Sequence, residues 1–599
     1  MRSRISAAAA ALAVLLAFPG GSVAAGHSSD RYQRAYERLE QRMAAQRVLA
    51  RASAGPTSAV TDNFRILGHL DPSGRATTGD VWVHGDTAYL GTWSDPCIGQ
   101  GVIVIDVSDP ANPVEVARVA QRSGTSAEDV VVRHVDTKAF TGDLLAAGIQ
   151  RCGDAPALDT KKFGVSLWDV TDPSAPTKLG AIGLTNGGGG VHELDIAVRK
   201  DGVFVLAATP GSEAFDPVPG GEFRIVDVTD PRHPAQVGEW GAIDHGLARG
   251  PFDGIGSFGA AFDHSARASA SGMRAFVSYW DLGVLTFNIS DPTNPRLVDR
   301  TRYPREADGD AHSVAPYRRG RFLLQNDEDF DPKSPSRILY SGGAGIASEQ
   351  PGAPALWASP DHRIHAPVVK AAKHGCKAAD YPANTTGNIA VVRTPFPFFD
   401  SGPGQEPLCT QDVQELAAEQ AGAIAVVHDF ISDATSPQVF DFGEPGIPAL
   451  FTDHRTAQGM VDAGSATLVA QRPSWGFLRV FDARSGREVA RFDALPYVHD
   501  LVAPAGFWSI HNTEVAGRHA YSSWYTHGVV ALDLSPLGRD NPRDPQLVGQ
   551  FVPPGGDSNT EHIPDGVTAV WGVALQGGLV YASDTSSGLW IVEPTGPAG

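Results

Sequence analysis

The chain has 599 residues, a formal net charge of −20, 66 glycines and 44 prolines. This length exceeds what a single hydrophobic core supports, which predicts more than one domain. The acidic balance argues against nucleic acid and anionic membrane surfaces as partners, because both attract basic patches. Abundant glycine and proline favour a turn-rich, mainly β protein over a helical one.

The N-terminus has the pattern of a secretory signal peptide, which we assign to residues 1–25. Two arginines precede an apolar run at residues 5–18, and Val-Ala-Ala at residues 23–25 places small residues at the cleavage position. The run is too short for a membrane-spanning helix, and no later segment is long and apolar enough to span. We therefore expect a secreted protein without a membrane span, an uncleaved anchor being the alternative. Residues 26–61 are predicted to form a helical or flexible N-terminal arm.

One sequence block recurs with a period near sixty residues. Its first copy reads Val-Ile-Val-Ile-Asp-Val-Ser-Asp-Pro at residues 102–110. Further copies lie at residues 164–173, 223–231 and 283–292, with two weaker ones at residues 476–482 and 528–535. The β-branched run predicts a strand, and the Asp-x-Ser/Thr-Asp-Pro segment ends it, since these side chains bond to nearby backbone and proline cannot continue a ladder. Two strands precede each block and one follows it, and four strands per repeat indicate a β-propeller blade.

The block resembles the LVIVD repeat. The resemblance implies a β-propeller, whose two parts we assign to residues 62–331 and 474–595, but it implies no particular activity. Counting the strands predicts seven blades, with six or eight as alternatives. A strand at residues 64–69 is expected to complete the last blade, because closing the ring removes its exposed edges.

A stretch at residues 332–473 interrupts the fifth blade. It resembles a protease-associated (PA) domain at residues 375–376, 379–381, 386–392, 418–427 and 447–450. The resemblance implies an α/β domain that acts as a lid or a protein-contact module and carries no chemistry of its own. It also implies a disulfide between Cys376 and Cys409. The fold class expected for the whole chain is therefore mainly β, a seven-bladed propeller with an inserted α/β PA domain.

The insertion lies between the second and third strands of its blade. Loops at that position leave the ring on the same face as the loops that enter each innermost strand, so the PA domain is expected over one mouth of the central channel. Cys97 and Cys152 lie in the equivalent loops of the first two blades, which predicts a second disulfide between them. An even cysteine count in an exported chain fits both pairings.

Four consecutive blades begin their first strand with a histidine followed by a small or acidic residue. The four histidines are His192, His264, His312 and His511. Because the innermost strands of a propeller line its channel, these imidazoles are predicted to converge near the mouth that the insertion covers. Imidazole suits Fe, Cu and Zn. The hypothesis is a site for one transition metal ion, with Glu193, Asp80 or Asp129 accepting hydrogen bonds from the ring N–H groups.

Two other interpretations of these histidines stay open at the level of sequence. Polar residues at such positions can hydrogen-bond to one another and to channel water without holding an ion. The register of the sixth blade also allows His499 to replace His511. Further polar candidates on the same face are His527, His562, Asp327, Glu328 and Asp281.

Two functions from different classes follow. The first is an extracellular scaffold that binds a protein, peptide or glycan between the propeller and the PA domain, since both modules favour interaction and the chain has no G-x-S-x-G or H-E-x-x-H motif. The second is a metal-dependent oxidoreductase or hydrolase that works at the four-histidine site. The sequence assigns no catalytic residue.

Overall fold

The computed structural model describes residues 59–599 except for 73, 75–76, 94–96, 153–162, 185–189, 211–219, 248–261, 304–308, 329–335, 351–352, 355, 395–408, 431–444, 471–475, 495–508, 539–540 and 557–565. The predicted signal peptide and nearly all of the predicted arm lie outside the described residues. The chain is mainly β, with 53% strand and 7% helix, and its main body is a seven-bladed propeller. Among the described helices, none is long and apolar enough to cross a membrane.

The first part of the chain forms four complete blades and half of a fifth. Its strands are β1 (Val60–Asp62), β2 (Phe64–Leu70), β3 (Thr78–His84), β4 (Thr87–Thr92), β5 (Val102–Asp106), β6 (Val114–Val119), β7 (Thr125–Ser126), β8 (Val130–Asp136), β9 (Thr141–Arg151), β10 (Gly164–Asp169), β11 (Thr177–Gly183), β12 (Leu194–Arg199), β13 (Gly202–Ala208), β14 (Phe223–Asp227), β15 (Ala235–Trp240), β16 (Ser265–Ala268), β17 (Arg274–Ser278), β18 (Val284–Asn288), β19 (Arg296–Arg300), β20 (Ala311–Tyr317) and β21 (Phe322–Glu328).

An inserted domain follows β21. Its elements are β22 (Ser336–Tyr340), β23 (Gly343–Glu349), β24 (Arg363–Lys370), β25 (Ile389–Thr394), α1 (Gln411–Gln420), β26 (Ala425–Phe430), β27 (Ala449–Asp453), α2 (His454–Ala463) and β28 (Ser465–Val469), with short 3-10 turns at Leu356–Ala358, Pro360–His362 and Ala378–Asp380. The seven strands close into a barrel in which β24, β25, β26 and β27 run parallel to one another. The helix α2 is capped at its N-terminus by Asp453, which accepts a hydrogen bond from the backbone of Thr456, and at its C-terminus by Gly464, whose φ of 72° is left-handed.

The chain then completes the propeller. The remaining strands are β29 (Gly476–Asp482), β30 (Arg487–Phe492), β31 (Thr513–Ala516), β32 (His519–Ser523), β33 (Val529–Asp533), β34 (Gln546–Val552), β35 (Val570–Gln576), β36 (Leu579–Asp584) and β37 (Gly588–Pro594). In the fifth blade β21 pairs with β29, and Glu328 lies opposite Gly476. The inserted domain therefore leaves and re-enters the ring at one point, between the second and third strands, as the sequence predicts.

The ring closes through its N-terminus. The strand β2 pairs antiparallel with β37 and completes the seventh blade, which confirms the predicted closing strand. One feature differs from the prediction: Val60–Asp62 belongs to β1, which adds an outer strand to the sixth blade by pairing with β34, rather than to the arm. Two consecutive N-terminal strands thus tie together the last two blades, and neither β34 nor β37 is left as a free edge.

The recurring block acts as predicted. At its end the Asp106 carboxylate accepts a hydrogen bond from the backbone of Ser108 at 2.9 Å, and Asp227 does the same for Thr229 at 2.8 Å. These Asx turns stop the third strand and start the outer one. The apolar side chains of the block pack between blades: Val104 joins Val132 of the second blade in one cluster. Hydrophobic clusters of this kind join neighbouring blades around the ring.

Both predicted disulfides are present. One joins Cys97 to Cys152 between the first two blades, and the other joins Cys376 to Cys409 within the inserted domain. The first links the loops that follow β4 and β9, on the side of the ring where the insertion leaves the fifth blade. It therefore restrains two neighbouring blades at that mouth of the channel.

Candidate metal centre

The four predicted histidines lie side by side at the start of four neighbouring innermost strands. His192 precedes β12, His264 precedes β16, His312 lies in β20 and His511 precedes β31. Each is at most 2% exposed. Along the row, the ring centroids are 4.4 Å apart from His192 to His264, 4.0 Å from His264 to His312, and 4.0 Å from His312 to His511.

The small residue that follows each central histidine fixes this spacing. The Ser265 hydroxyl donates a hydrogen bond to the backbone carbonyl of His312 at 2.8 Å, and the Ser313 hydroxyl donates to the carbonyl of His511 at 2.8 Å. Each serine therefore joins its own blade to the histidine of the next blade. This explains why a small polar residue accompanies the histidine in the sequence.

Two glutamates are interleaved with the rings. The Oε1 atom of Glu193 is 3.7 Å from Nδ1 of His264 and 3.7 Å from Nε2 of His312. The Oε2 atom of Glu328 is also 3.7 Å from Nε2 of His312, while its Oε1 atom accepts a hydrogen bond from the hydroxyl of Tyr525. Both carboxylates are buried. Distances of this size are too long for hydrogen bonds and leave room for an ion between the groups.

The first ring of the row has a fixed orientation. Nδ1 of His192 lies 2.9 Å from Oε2 of Glu128, whose other oxygen accepts a hydrogen bond from the Trp571 indole at 2.7 Å. The Nδ1–H of His192 is donated to the side-chain oxygen of Gln150 at 3.2 Å, which leaves the lone pair of the ring on Nε2. Nε2 of His192 is hydrogen-bonded to Nε2 of His264 at 3.0 Å. Two ligands that bind one ion at about 2.1 Å and at roughly a right angle have this separation.

The carboxylates predicted to orient the rings have other partners. Asp80 accepts two hydrogen bonds from the side-chain amide of Asn512, both at 2.9 Å, and Asp129 accepts one from the backbone of Leu194 at 2.6 Å. The groups beside Nδ1 of His192 are Gln150, which accepts its hydrogen bond, and the carboxylate of Glu128, and the prediction missed both. The signal was present, because Glu128 occupies in the second blade the position that histidine occupies in the next four.

Burial favours the neutral form of three of these rings. It lowers the pKa of His264, His312 and His511, and the neighbouring imidazoles lower each pKa further. Neutral imidazole is the form that binds metal. Within the described residues, the Nδ1 atoms of these three rings are buried without a hydrogen bond.

Burial has the opposite effect on the acids. It raises the pKa of Asp80 and of Glu193, and repulsion from nearby carboxylates adds to both shifts. Burial also raises the pKa of Asp129 to about 8 and that of Glu328 to about 8. Burial therefore favours the neutral form of these acids, and a bound cation would favour their ionised form instead.

Aromatic side chains surround the row. The ring centroids of Trp571 and His511 are 4.5 Å apart, those of Trp280 and His264 5.4 Å, and those of Trp93 and His192 5.6 Å. Trp280 and Tyr525 occupy equivalent turns in two blades, and both have left-handed backbones, with φ of 41° and 34°. Such strain persists only where the surroundings fix it, and it is often found at functional sites.

A cavity of about 130 Å³ continues from the site along the channel. Its lining includes Asp80, Asp129, Glu193, Ser265, Ser313 and Asn512. Glu193 thus borders both the histidine row and the cavity, which gives a small molecule or water a place beside any bound ion.

Residues 75–121 match the LVIVD repeat. The match covers the first blade and confirms the repeat resemblance there. No curated protein matches the chain.

Comparison with solved structures finds distant likenesses. A zinc aminopeptidase from Bacillus subtilis is 17% identical over 26% of this chain and 35% of its own, with a TM-score of 0.20. The C-terminal WD40 domain of Sif2 is 8% identical over 90% of this chain and 100% of its own, with a TM-score of 0.38. The Cps50 (Swd1) propeller from Myceliophteria thermophila is 10% identical over 89% and 100%, with a TM-score of 0.37. The chain spans about a third of the aminopeptidase, and TM-scores below 0.5 support no inference about the site.

The other predicted candidates have different positions. Glu328 joins the histidine row, as described. Asp327 instead pairs with Arg479, and Asp281 accepts a hydrogen bond from the backbone of Asp310 at 3.3 Å. His527 is buried in the sixth blade outside every group of converging metal ligands found among the described residues. The alternative ligand His499, and also His562, lie outside the described residues.

Proposed function

We propose that this protein is an exported, metal-dependent enzyme, an oxidoreductase or a hydrolase, whose transition metal is held by the histidine row at one mouth of the propeller channel. The observation that carries the proposal is the row itself. Four buried imidazoles come from four blades, each ring contacts the next, and two buried carboxylates lie between them. Neutral imidazole and carboxylate together form a ligand set typical of Fe, Zn and Cu.

The unsatisfied polar atoms favour an ion over a hydrogen-bonded polar cluster. Within the described residues, Oε1 of Glu193 and the Nδ1 atoms of His264, His312 and His511 are buried without a hydrogen bond. Each such atom costs on the order of 1–3 kcal/mol, and more when charged. A cation bound to the carboxylates and rings would remove much of this cost.

The surroundings favour a catalytic site over a structural one. Structural zinc sites are closed by four protein ligands, whereas catalytic sites keep a position open. Here the histidines converge in three sets, each with two histidines and one glutamate, and Glu193 faces the cavity. Open positions at the ion would therefore point to a space that a substrate can enter.

The inserted domain would serve as a lid. We propose that it is a PA domain that covers this mouth, on the strength of the sequence resemblance, its α/β barrel and its disulfide. Its connections flank Glu328 and Gly476, so it is anchored beside a carboxylate of the histidine row. Export is supported by the N-terminal sequence and by the two disulfides.

Metal analysis of protein purified without a histidine tag tests the proposal. We expect at least one equivalent of Fe, Cu or Zn, retained through gel filtration, and its loss from a variant with His264→Ala and His312→Ala. Less than about a tenth of an ion per chain, with no uptake of added Fe²⁺, Cu²⁺ or Zn²⁺, would overturn the metal site. That result would favour the scaffold function instead, in which the propeller and the inserted domain bind a protein, peptide or glycan.

A further inference from the structure

We infer that the histidine row binds two metal ions, one at each pair of neighbouring histidines, with Glu193 bridging them. His192 and His264 would hold the first ion, and His312 and His511 the second. This inference rests on the proposed metal site and specifies its stoichiometry. A pair of divalent transition ions is therefore the cofactor that the site would take.

The donor groups divide in this way. In each of the sets His192–Glu193–His264 and Glu193–His312–His511, the ligand atoms lie within 4.8 Å of one another. These two sets use every histidine once and share only Glu193. None of the converging sets among the described residues contains three histidines. Two ions thus account for all four rings, whereas one ion would leave some of them without a role.

The geometry of the row leads to the same division. The rings come from four consecutive blades and follow an arc, with each centroid 4.0–4.4 Å from the next. An ion that binds nitrogen at about 2.1 Å can hold ligand atoms no more than about 4.2 Å apart. An arc of four rings with these steps fits two adjacent ions better than one central ion.

Glu193 has the position of a bridging carboxylate. Its Oε1 atom is 3.7 Å from Nδ1 of His264, in the first pair, and 3.7 Å from Nε2 of His312, in the second. The residue is 8% exposed, and Oε1 has no hydrogen bond within the described part of the chain. A single carboxylate oxygen bound to two ions at about 2.1 Å allows them to lie up to about 4.2 Å apart, which includes the separation of about 3.5–4 Å that is usual in two-metal sites.

A single central ion is the competing arrangement. His264, His312 and Glu328 also converge within 4.8 Å. In that arrangement, His192 and His511 would not be ligands, and their removal would leave the number of bound ions unchanged. The two outer histidines therefore distinguish the two arrangements.

The experiment measures bound Zn²⁺ per chain by elemental analysis, on full-length untagged protein that has been stripped with a chelator, reloaded and desalted. We expect two ions in the unmodified protein and one each in His192→Ala and His511→Ala. The matched control His527→Ala removes a buried histidine of the sixth blade that lies outside the row, and it should keep two.

A spectroscopic measurement on Co²⁺-loaded protein tests the bridge. Two ions joined by Glu193 should couple magnetically, which lowers the electron paramagnetic resonance signal per cobalt relative to that of His192→Ala. In Glu193→Gln, the coupling should disappear or the second ion should be lost.

The outcomes separate the inference from the proposed function. One ion in the unmodified protein overturns the binuclear inference, whether or not the variants fold. If that single ion persists in His192→Ala and in His511→Ala, the proposed function still stands. Two ions that survive in His192→Ala or in His511→Ala overturn the assignment of that pair. Two uncoupled ions overturn the bridge. No bound ion overturns the proposed function itself.

Discussion

The Nδ1 atom of His192 lies 2.9 Å from Oε2 of Glu128, and the two side chains are 3% and 0% exposed. The two residues come from adjacent blades and occupy the same position in their repeats. The hydrogen bond from Nδ1 to the side-chain oxygen of Gln150, at 3.2 Å, fixes the tautomer of the ring. The neighbouring carboxylate of Glu128 raises the basicity of Nε2 and so prepares it to bind an ion.

Replacing Glu128 with Gln should weaken metal binding about 10- to 100-fold without abolishing it, because the ring loses a neighbouring carboxylate but keeps its hydrogen bond to Gln150. Competition with a chelator of known affinity measures the effect. The matched control is Glu415→Gln, which alters a buried Glu–His pair in the inserted domain, where Glu415 lies 3.2 Å from His428. Equal metal affinity in Glu128→Gln and in the unmodified protein would contradict the effect of the Glu128 carboxylate on His192.

The ring should depend on its closing strand. Removal of residues 26–71 would delete β1 and β2 and expose the edge of β37, so we expect a lower unfolding temperature and aggregation. Removal of residues 26–58 keeps both strands and should leave the unfolding temperature unchanged. Thermal scans with light scattering compare the two truncations, and equal stability would show that β2 is dispensable.

Phe64 tests the same closure without a deletion. Its ring is buried against Tyr521 and Phe551 of the sixth blade, with centroids 6.3 and 6.4 Å away. Phe64→Ala should destabilise the propeller by about 3–5 kcal/mol. Denaturant unfolding followed by tryptophan fluorescence measures the loss. Ile66→Ala, at a 37% exposed position of the same strand, is the control and should cost much less.

Local signals made the fold predictable. The β-branched run that ends in Asp-x-Ser/Thr-Asp-Pro determines both the strand and its turn, as the bonds from Ser108 and Thr229 to their aspartates show. Because that block recurs, the blade count, the closing strand β2 and the Cys97–Cys152 pair followed from position alone. The strand β1 was missed, since three residues carry too little periodicity to distinguish a strand from an arm.

The site was only partly predictable for a related reason. Alignment of the blades identified the four histidines, because each occupies the same position in its repeat. The roles of Glu128, Glu193 and Glu328 depend on how adjacent blades are spaced and which way each carboxylate turns, and repeat position does not encode these. The aromatic surround comes from turns such as those of Trp280 and Tyr525, whose left-handed backbones only the packed structure reveals.

The Cys97–Cys152 bond should contribute to stability by linking two blades. It closes a loop with a sequence separation of 55, for which chain entropy predicts a contribution of about 4 kcal/mol. The double variant Cys97→Ser, Cys152→Ser should therefore unfold at lower denaturant concentration. Removing Cys376 and Cys409 instead should affect only the transition of the inserted domain, since that bond lies within it. If the Cys97→Ser, Cys152→Ser variant also left the unfolding transition of the propeller unchanged, the bond between the two blades would have no stabilising role.

His527 should make the propeller sensitive to acid. Burial lowers the pKa of its imidazole to about 3, compared with about 6.5 in an unfolded chain. Between these values the unfolded chain binds a proton that the folded protein does not, so stability falls as the pH drops below 6.5. From pH 7 to pH 5 this one residue should cost about 2 kcal/mol.

His527→Gln cannot titrate and should lose about 2 kcal/mol less than the unmodified protein over the same pH interval, whatever its stability at pH 7. Denaturant unfolding of both metal-free proteins at pH 7 and pH 5 measures the difference. The histidines of the row titrate alike in both proteins, so their contribution cancels. Parallel losses in the two proteins would mean that His527 is already protonated or exposed in the folded state.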